Sequence, residues 1–234
     1  MKAGIHVITE KIRKYRGMEL QMEKGELKVG CIVLGMLENN CYFVHREGEY
    51  DAIMIDPSAQ GDKLFTRLRE KGLTVKAILL THGHFDHIMG VNEMRNVSGA
   101  KVYAMEDEVK LLSDPEINSS YKVGKSYTVK PDVLLHDGDT VTVGGMDLKV
   151  IKTPGHTAGG CCFYSEEDGV LFSGDTLFYE SVGRTDFETG NVRELKQSLA
   201  KLFELPDEVK VYPGHGEFTT IGHEKMYNPF AAGI

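Results

Sequence analysis

Thr81-His82-Gly83-His84-Phe85-Asp86-His87 places three histidines and one aspartate within six residues. Just upstream, Val75-Lys76-Ala77-Ile78-Leu79-Leu80 reads as a short buried strand ended by a polar turn. His82 and His84 leave that strand end two residues apart, so both side chains can point the same way. Asp86 and His87 open a helical run through Met94. One turn therefore offers two imidazoles from one side, and an imidazole with a carboxylate from the other. Such a mixed nitrogen and oxygen set suits zinc, iron or manganese. The competing reading is a polar loop with surplus histidines. It must treat an H-x-H-x-D-H match as chance, and such a match is rare in a chain of this length.

Three further turns share this design, each after an apolar strand. Ile151-Lys152-Thr153-Pro154-Gly155-His156-Thr157 sets a histidine in a Pro-Gly turn. Val170-Leu171-Phe172-Ser173-Gly174-Asp175 ends on an aspartate, and Val209-Lys210-Val211-Tyr212-Pro213-Gly214-His215-Gly216 repeats the Pro-Gly-His pattern. A glycine beside each ligand type lets the backbone turn sharply. A lone histidine in a loop is usually just exposed; four ligand-bearing strand ends in one chain reverse that expectation. His6, His45, His136 and His223 fit no such pattern and read as ordinary.

The 234 residues suffice for one large domain or two small ones. With 41% hydrophobic and 26% charged residues the chain reads as an ordinary soluble globular protein. No apolar run is long enough to span a bilayer, so no membrane partner is expected. The net charge of -8 argues against a nucleic-acid surface. Cys31, Cys41, Cys161 and Cys162 lack C-x-x-C spacing and read as reduced, buried thiols, which predicts a cytoplasmic protein. Cys161 and Cys162 are expected on opposite faces of one strand.

Residues 1–26 read as an N-terminal extension, disordered or an artefact of the chosen start, with Met18 and Met22 as alternative starts. Its basic cluster, Lys11, Arg13, Lys14 and Arg16, precedes no apolar segment of a secretory signal. From Leu27 onward strands alternate with helices. Strands are predicted over 28–35, 41–45, 52–55, 75–80, 101–104, 133–135, 140–143, 146–151, 161–165, 170–173 and 209–212. Helices are predicted over 61–71, 87–97, 106–112 and 192–203, with a short one after Thr219. Residues 113–131 read as a long loop, expected at the mouth of a substrate site.

The set H-x-H-x-D-H, Pro-Gly-His, Gly-Asp and Pro-Gly-His resembles the metallo-β-lactamase superfamily, over 27–234. Ser173-Gly174-Asp175-Thr176-Leu177-Phe178 and Gly183-Arg184-Thr185-Asp186-Phe187 are similar to its glyoxalase II (hydroxyacylglutathione hydrolase) branch, particularly the short single-domain members. The resemblance implies an α+β fold, a four-layer αβ/βα sandwich with metals at one edge between the sheets. It implies that His82, His84 and His156 hold one metal, that Asp86, His87 and His215 hold a second, and that Asp175 bridges both. Asp175 stands where zinc-dependent lactamases often carry cysteine. Two departures point away from glutathione as the thiol. The helical C-terminal domain of two-domain glyoxalase II is not expected here, and Gly-Arg-Thr-Asp-Phe replaces a Gly-Arg-Phe-Phe-type sequence.

The expected chemistry follows. Two divalent ions, zinc first with iron or manganese as alternatives, would lower the pKa of a shared water and supply a bridging hydroxide. Asp86 would ligate and also orient that hydroxide, the catalytic role. A small-molecule thioester is the natural substrate, because a thiol of pKa near roughly 8.5 departs without a strong general acid. Ligand histidines need outer partners to fix their tautomers, and Asp56 and Asp186 are the candidates. Arg184 would pair Asp186 or meet an acidic substrate. Two other functions stay open. A mono-iron persulfide dioxygenase would use His82, His156 and Asp175 as a facial triad. A non-catalytic metal-binding module would bind the metal and turn over nothing. Oligomeric state is not legible.

Overall fold

Strand alternation sorts the apolar residues into three cores. The structure, a computed structural model, describes residues 24–233; the extension expected over 1–26 lies almost wholly outside the described residues. The first half folds into β1 (Leu27–Leu34), β2 (Asn39–Arg46), β3 (Asp51–Ile55), α1 (Gly61–Glu70), β4 (Thr74–Leu79), α2 (Phe85–Ile88), α3 (Val91–Ser98), β5 (Lys101–Met105), α4 (Val109–Ser113) and β6 (Val133–Leu135). Its six strands form one sheet in sequence order, antiparallel through β3 and parallel from β3 to β6.

The second half supplies β7 (Thr140–Val143), β8 (Met146–Lys152), β9 (Cys161–Ser165), β10 (Val170–Gly174), β11 (Leu177–Phe178), β12 (Ser181–Val182), α5 (Val192–Leu202), β13 (Lys210–Pro213), β14 (Thr219–Thr220) and α6 (Ile221–Tyr227). Its main sheet runs β14-β13-β10-β9-β8-β7, with only β10 and β13 parallel. β11 and β12 make a small separate hairpin.

On β3, Ile53 and Ile55 face the second sheet and pack with Val150, Phe163 and Phe172. Ala52 and Met54 face outward against Leu64 and Leu68 of α1 and Met94 of α3. The outer face of the second sheet carries Cys162 and Leu171, covered by Leu199 and Leu202 of α5 and Ile221 of α6. The result is helix, sheet, sheet, helix: the α+β four-layer sandwich expected. Strands buried on both faces read as continuous apolar runs, as β3 and β4 do. Each fully buried aliphatic or aromatic side chain contributes about 1.5–3 kcal/mol. Cys161 belongs to the inner core and Cys162 to the outer one, and all four thiols are free.

The predicted helix 87–97 is two helices. They break at Gly90, whose N–H donates to the Pro57 carbonyl at 2.8 Å. A Cβ there would stand 2.8 Å from that same oxygen, so only glycine allows the approach. The loop 113–131 contains a 3-10 turn over Ser120–Val123. The β11–β12 hairpin and β14 were not legible, being two residues per strand. No helix of the described residues is long and apolar enough to cross a membrane.

Arg46 closes the far end of the sandwich, away from the histidine turns. Its buried guanidinium donates to Asp168 at 2.5 and 3.0 Å and to Glu167 at 2.9 Å, tying β2 to the β9–β10 turn. Removing one partner leaves a carboxylate without its counter-charge. Arg46→Ala should cost about 3–5 kcal/mol, lowering Tm by roughly 10 °C. Calorimetry checks this, and metal content per folded chain should not change.

Candidate metal centre

The ligand-type side chains converge because strands of both sheets end at one edge. His82 and His84 follow β4, His156 follows β8, Asp175 follows β10 and His215 follows β13. Asp86 and His87 sit in α2, whose first residue Phe85 donates its N–H to Asn118 of the long loop at 3.0 Å. Two glycines make the convergence possible. Gly174 has φ +49°, and a Cβ there would lie 2.4 Å from Thr81 Oγ1. A Cβ on Gly214 would lie 2.2 Å from Asp175 Oδ1.

Three overlapping groups of ligand-type side chains result, Asp56 with His82 and His87 among them, and two of the three match the expected ligand sets. His82, His84 and His156 offer ligand atoms within 4.8 Å of one another, and so do Asp86, His87 and His215. Within the first, His84 Nδ1 faces His156 Nε2 at 2.9 Å. Within the second, His215 Nε2 stands 3.2 Å from Asp86 Oδ2. Asp175 lies between them. Its Oδ1 is 3.3 Å from His87 Nε2, and its Oδ2 is 3.5 Å from His156 Nε2 and 3.6 Å from His215 Nε2. All are buried except His215, which is half-buried, and Asp175, only slightly exposed.

Outer partners fix the tautomers. His87 Nδ1–H donates to Asp56 Oδ2 at 2.9 Å. Thr81 Oγ1 donates to the same oxygen at 2.6 Å and accepts from His82 Nδ1 at 3.1 Å. Asp56 therefore orients one histidine of each group, directly and through Thr81. It does so at φ +48°, a strained conformation that aspartate tolerates better than most residues. His156 Nδ1–H donates to the Arg184 carbonyl at 2.7 Å, and His215 Nδ1–H to the Leu37 carbonyl at 3.0 Å. The outer partner thus occupies Nδ1 of each of these rings and leaves Nε2 facing inward.

Asp186 has no hydrogen bond to a ligand histidine. It is exposed and takes the Arg184 guanidinium at 2.9 and 2.7 Å. The partner expected of it is the Arg184 backbone instead. Arg184 also lies 4.7 Å over the Phe187 ring, which packs 4.6 Å from His84. Asn39 was not legible as a site residue. It is fully buried, with Nδ2 2.8 Å from His87 Nε2.

The electrostatics suit a cation. Burial, reinforced by neighbouring imidazoles, lowers the pKa of His82 and takes that of His84 down to about 3; burial also lowers His156. All three are neutral and keep ligand lone pairs. Burial also opposes charge on His87, yet Asp175, Asp86 and Asp56 outweigh it and hold its pKa well above the usual imidazole value. Burial works against ionised Asp175, but His87 and its neighbours hold its pKa well below the usual carboxylate range. His82 Nε2 is buried without a hydrogen-bond partner among the described residues. A buried polar atom left so needs an explanation, and a divalent ion supplies one. Imidazole and carboxylate donors fit zinc, iron or manganese.

The groups open into a cavity of about 380 Å³. Leu37, Phe178 and Phe187 give it apolar walls, and Arg184, Ser119 and Lys122 polar ones. Ser119 and Lys122 come from the long loop, which was expected at the mouth.

Residues 34–215 match the family model described as the metallo-beta-lactamase superfamily. Hydroxyacylglutathione hydrolase GloC of Haemophilus influenzae is 32% identical over 208 residues, 87% of this chain and 98% of that protein. Among solved structures, BLEG-1 B3 metallo-beta-lactamase is 39% identical with a TM-score of 0.83, covering 88% of this chain and 100% of its own. TTHA1623 in a di-iron-bound form is 35% identical with a TM-score of 0.77, covering 86% and 100%.

Asp56→Asn keeps the size of the side chain but withdraws the charge that His87 and Thr81 share. Metal affinity should fall about 10- to 100-fold. Chelator competition measures it, and an unchanged affinity would show that Asp56 supports only the backbone.

Proposed function

The chain belongs to the metallo-beta-lactamase superfamily, and on that premise we propose that it is a metal-dependent hydrolase of thioesters, similar to hydroxyacylglutathione hydrolase and working with two divalent ions. One observation carries the two-ion reading: the Asp175 carboxylate stands between two complete ligand groups, with an oxygen toward each. His82, His84 and His156 would hold one ion, and Asp86, His87 and His215 the other. The ions would be zinc, iron or manganese. Bound there, they would polarise the scissile carbonyl and bring the pKa of a shared water toward neutrality.

The chain's own residues do the rest. Asp175 sets the spacing of the two groups. Asp86, held 3.2 Å from His215 Nε2, keeps a second carboxylate oxygen for orienting the attacking water. The apolar walls exclude bulk water and strengthen every charge interaction inside. A thioester does not require a general acid beside the reacting centre, since a thiolate departs readily. Lys122, with Nζ donating to Ser119 Oγ at 3.2 Å, would favour an acidic group on the substrate, whereas the Arg184 guanidinium is already paired with Asp186.

A mono-iron persulfide dioxygenase is the second reading. It would need only His82, His156 and Asp175. The hydrogen bonds that orient His87 through Asp56 and His215 through Leu37 would then serve no ligand. The experiment loads wild type and His215→Ala with zinc, iron or manganese, then assays thioester, β-lactam and persulfide substrates. The hydrolase should bind two ions and hydrolyse the thioester. His215→Ala should keep about one ion and lose turnover by orders of magnitude. One ion under every loading, with persulfide-dependent oxygen uptake undiminished in His215→Ala, would refute this function.

A further inference from the structure

Glu108 lies between the two halves of the first ligand group and belongs to neither turn. It closes the 3-10 turn Glu106–Glu108 that leads from β5 into α4. The side chain is buried, 1% exposed. Its Oε2 accepts the Gly83 N–H at 2.9 Å, and its Oε1 accepts the Gly159 N–H at 2.7 Å. Gly83 separates His82 from His84, and Gly159 comes three residues after His156. One turn follows β4 in the first sheet, the other follows β8 in the second. A single carboxylate therefore spans the two sheets at the place where three ligand histidines must meet.

The packing around it is tight. A Cβ on Gly159 would fall 2.6 Å from the Glu108 backbone nitrogen, and one on Gly83 would fall 2.5 Å from Leu111 Cδ2 in α4. Among the described residues no cation pairs with Glu108. A buried carboxylate without a counter-ion is unfavourable unless its hydrogen bonds are made. An apolar residue there would leave both buried amides without an acceptor. What a carboxylate adds is two acceptors in fixed geometry, one for each turn.

We propose that Glu108 is a positioning residue that sets the separation of the His82–His84 turn from the His156 turn, and thereby the affinity of this group for a divalent ion. The proposal rests on reading that group as a metal site. Glu108 belongs to neither ligand group and does not line the cavity. It acts by holding two backbone amides at a fixed distance, so that the imidazoles need no rearrangement to bind.

The test uses cobalt(II) with a competing chelator on the full chain. In a His215→Ala background, which keeps the first group, adding Glu108→Gln puts an amide N–H against one backbone N–H. Affinity should fall about 10- to 100-fold, with a changed cobalt absorption. In a His82→Ala background, which keeps the second group, Glu108→Gln should leave affinity unchanged. Unchanged affinity in the first background overturns the proposal. Equal losses in both also overturn it, since general loosening does that. If the His215→Ala protein takes up no cobalt, the metal reading has failed and the proposal with it. A second measurement needs no variant. In the metal-free wild type, the Gly83 and Gly159 amides should both resist hydrogen exchange. Fast exchange at either would overturn the proposal even if Glu108→Gln failed to fold.

Discussion

Three carboxylates, the buried Asp56 and Asp86 and the slightly exposed Asp175, converge on one buried imidazole, His87. That concentration of negative charge is the constraint on which the rest of the site depends. Without a compensating cation it would oppose folding, because buried charges are tolerated only when paired. Protonating His87 answers part of it; divalent ions would answer it more fully and would use the neutral lone pairs of His82, His84 and His156 as well. Arg46 at the far end and Glu224 in α6 are buried charges too, each answered by its own partners. Elsewhere its interior is Ile, Leu, Val, Phe and Met, sorted by strand alternation into one core between the sheets and two beneath the helices.

The layered architecture explains how distant residues reach one another. Parallel β3, β4 and β5, and parallel β10 and β13, deliver their ends to the same edge. Backbone bonds then knit the halves together: the Cys161 N–H donates to the Thr81 carbonyl at 2.9 Å, and the Asn40 N–H to the Gly214 carbonyl at 2.7 Å. Ligand-type side chains from both sheets thus sit in turns that these backbone bonds tie together. Such bracing suits a site that must hold its ligands preorganised.

Much of this was legible in the sequence because the ligands come as local patterns. Strand, polar turn and glycine recur four times, and the two halves of H-x-H-x-D-H lie on one turn. The layers were legible from strands too apolar to have a wet face. What was not legible acts across the chain or through the backbone. Asn39 reads as a turn residue before β2, and nothing near it announces His87. Glu108 ends the run Glu106-Asp107-Glu108, which looks like a solvated acidic face until the fold buries its last member. The carbonyls of Arg184 and Leu37 carry no side-chain signature, so Asp186 drew the role that the Arg184 backbone performs. Asp56 was legible as a partner, but its reach to His82 through Thr81 was not.

A two-ion hydrolase requires both ions to share Asp175. Anomalous diffraction at the metal edge, from crystals grown with zinc or iron, tests that most directly. It should show two peaks per chain, one among His82, His84 and His156 and one among Asp86, His87 and His215, with the Asp175 carboxylate touching both. A single peak held by His82, His156 and Asp175, with His87 and His215 free of metal, would contradict it.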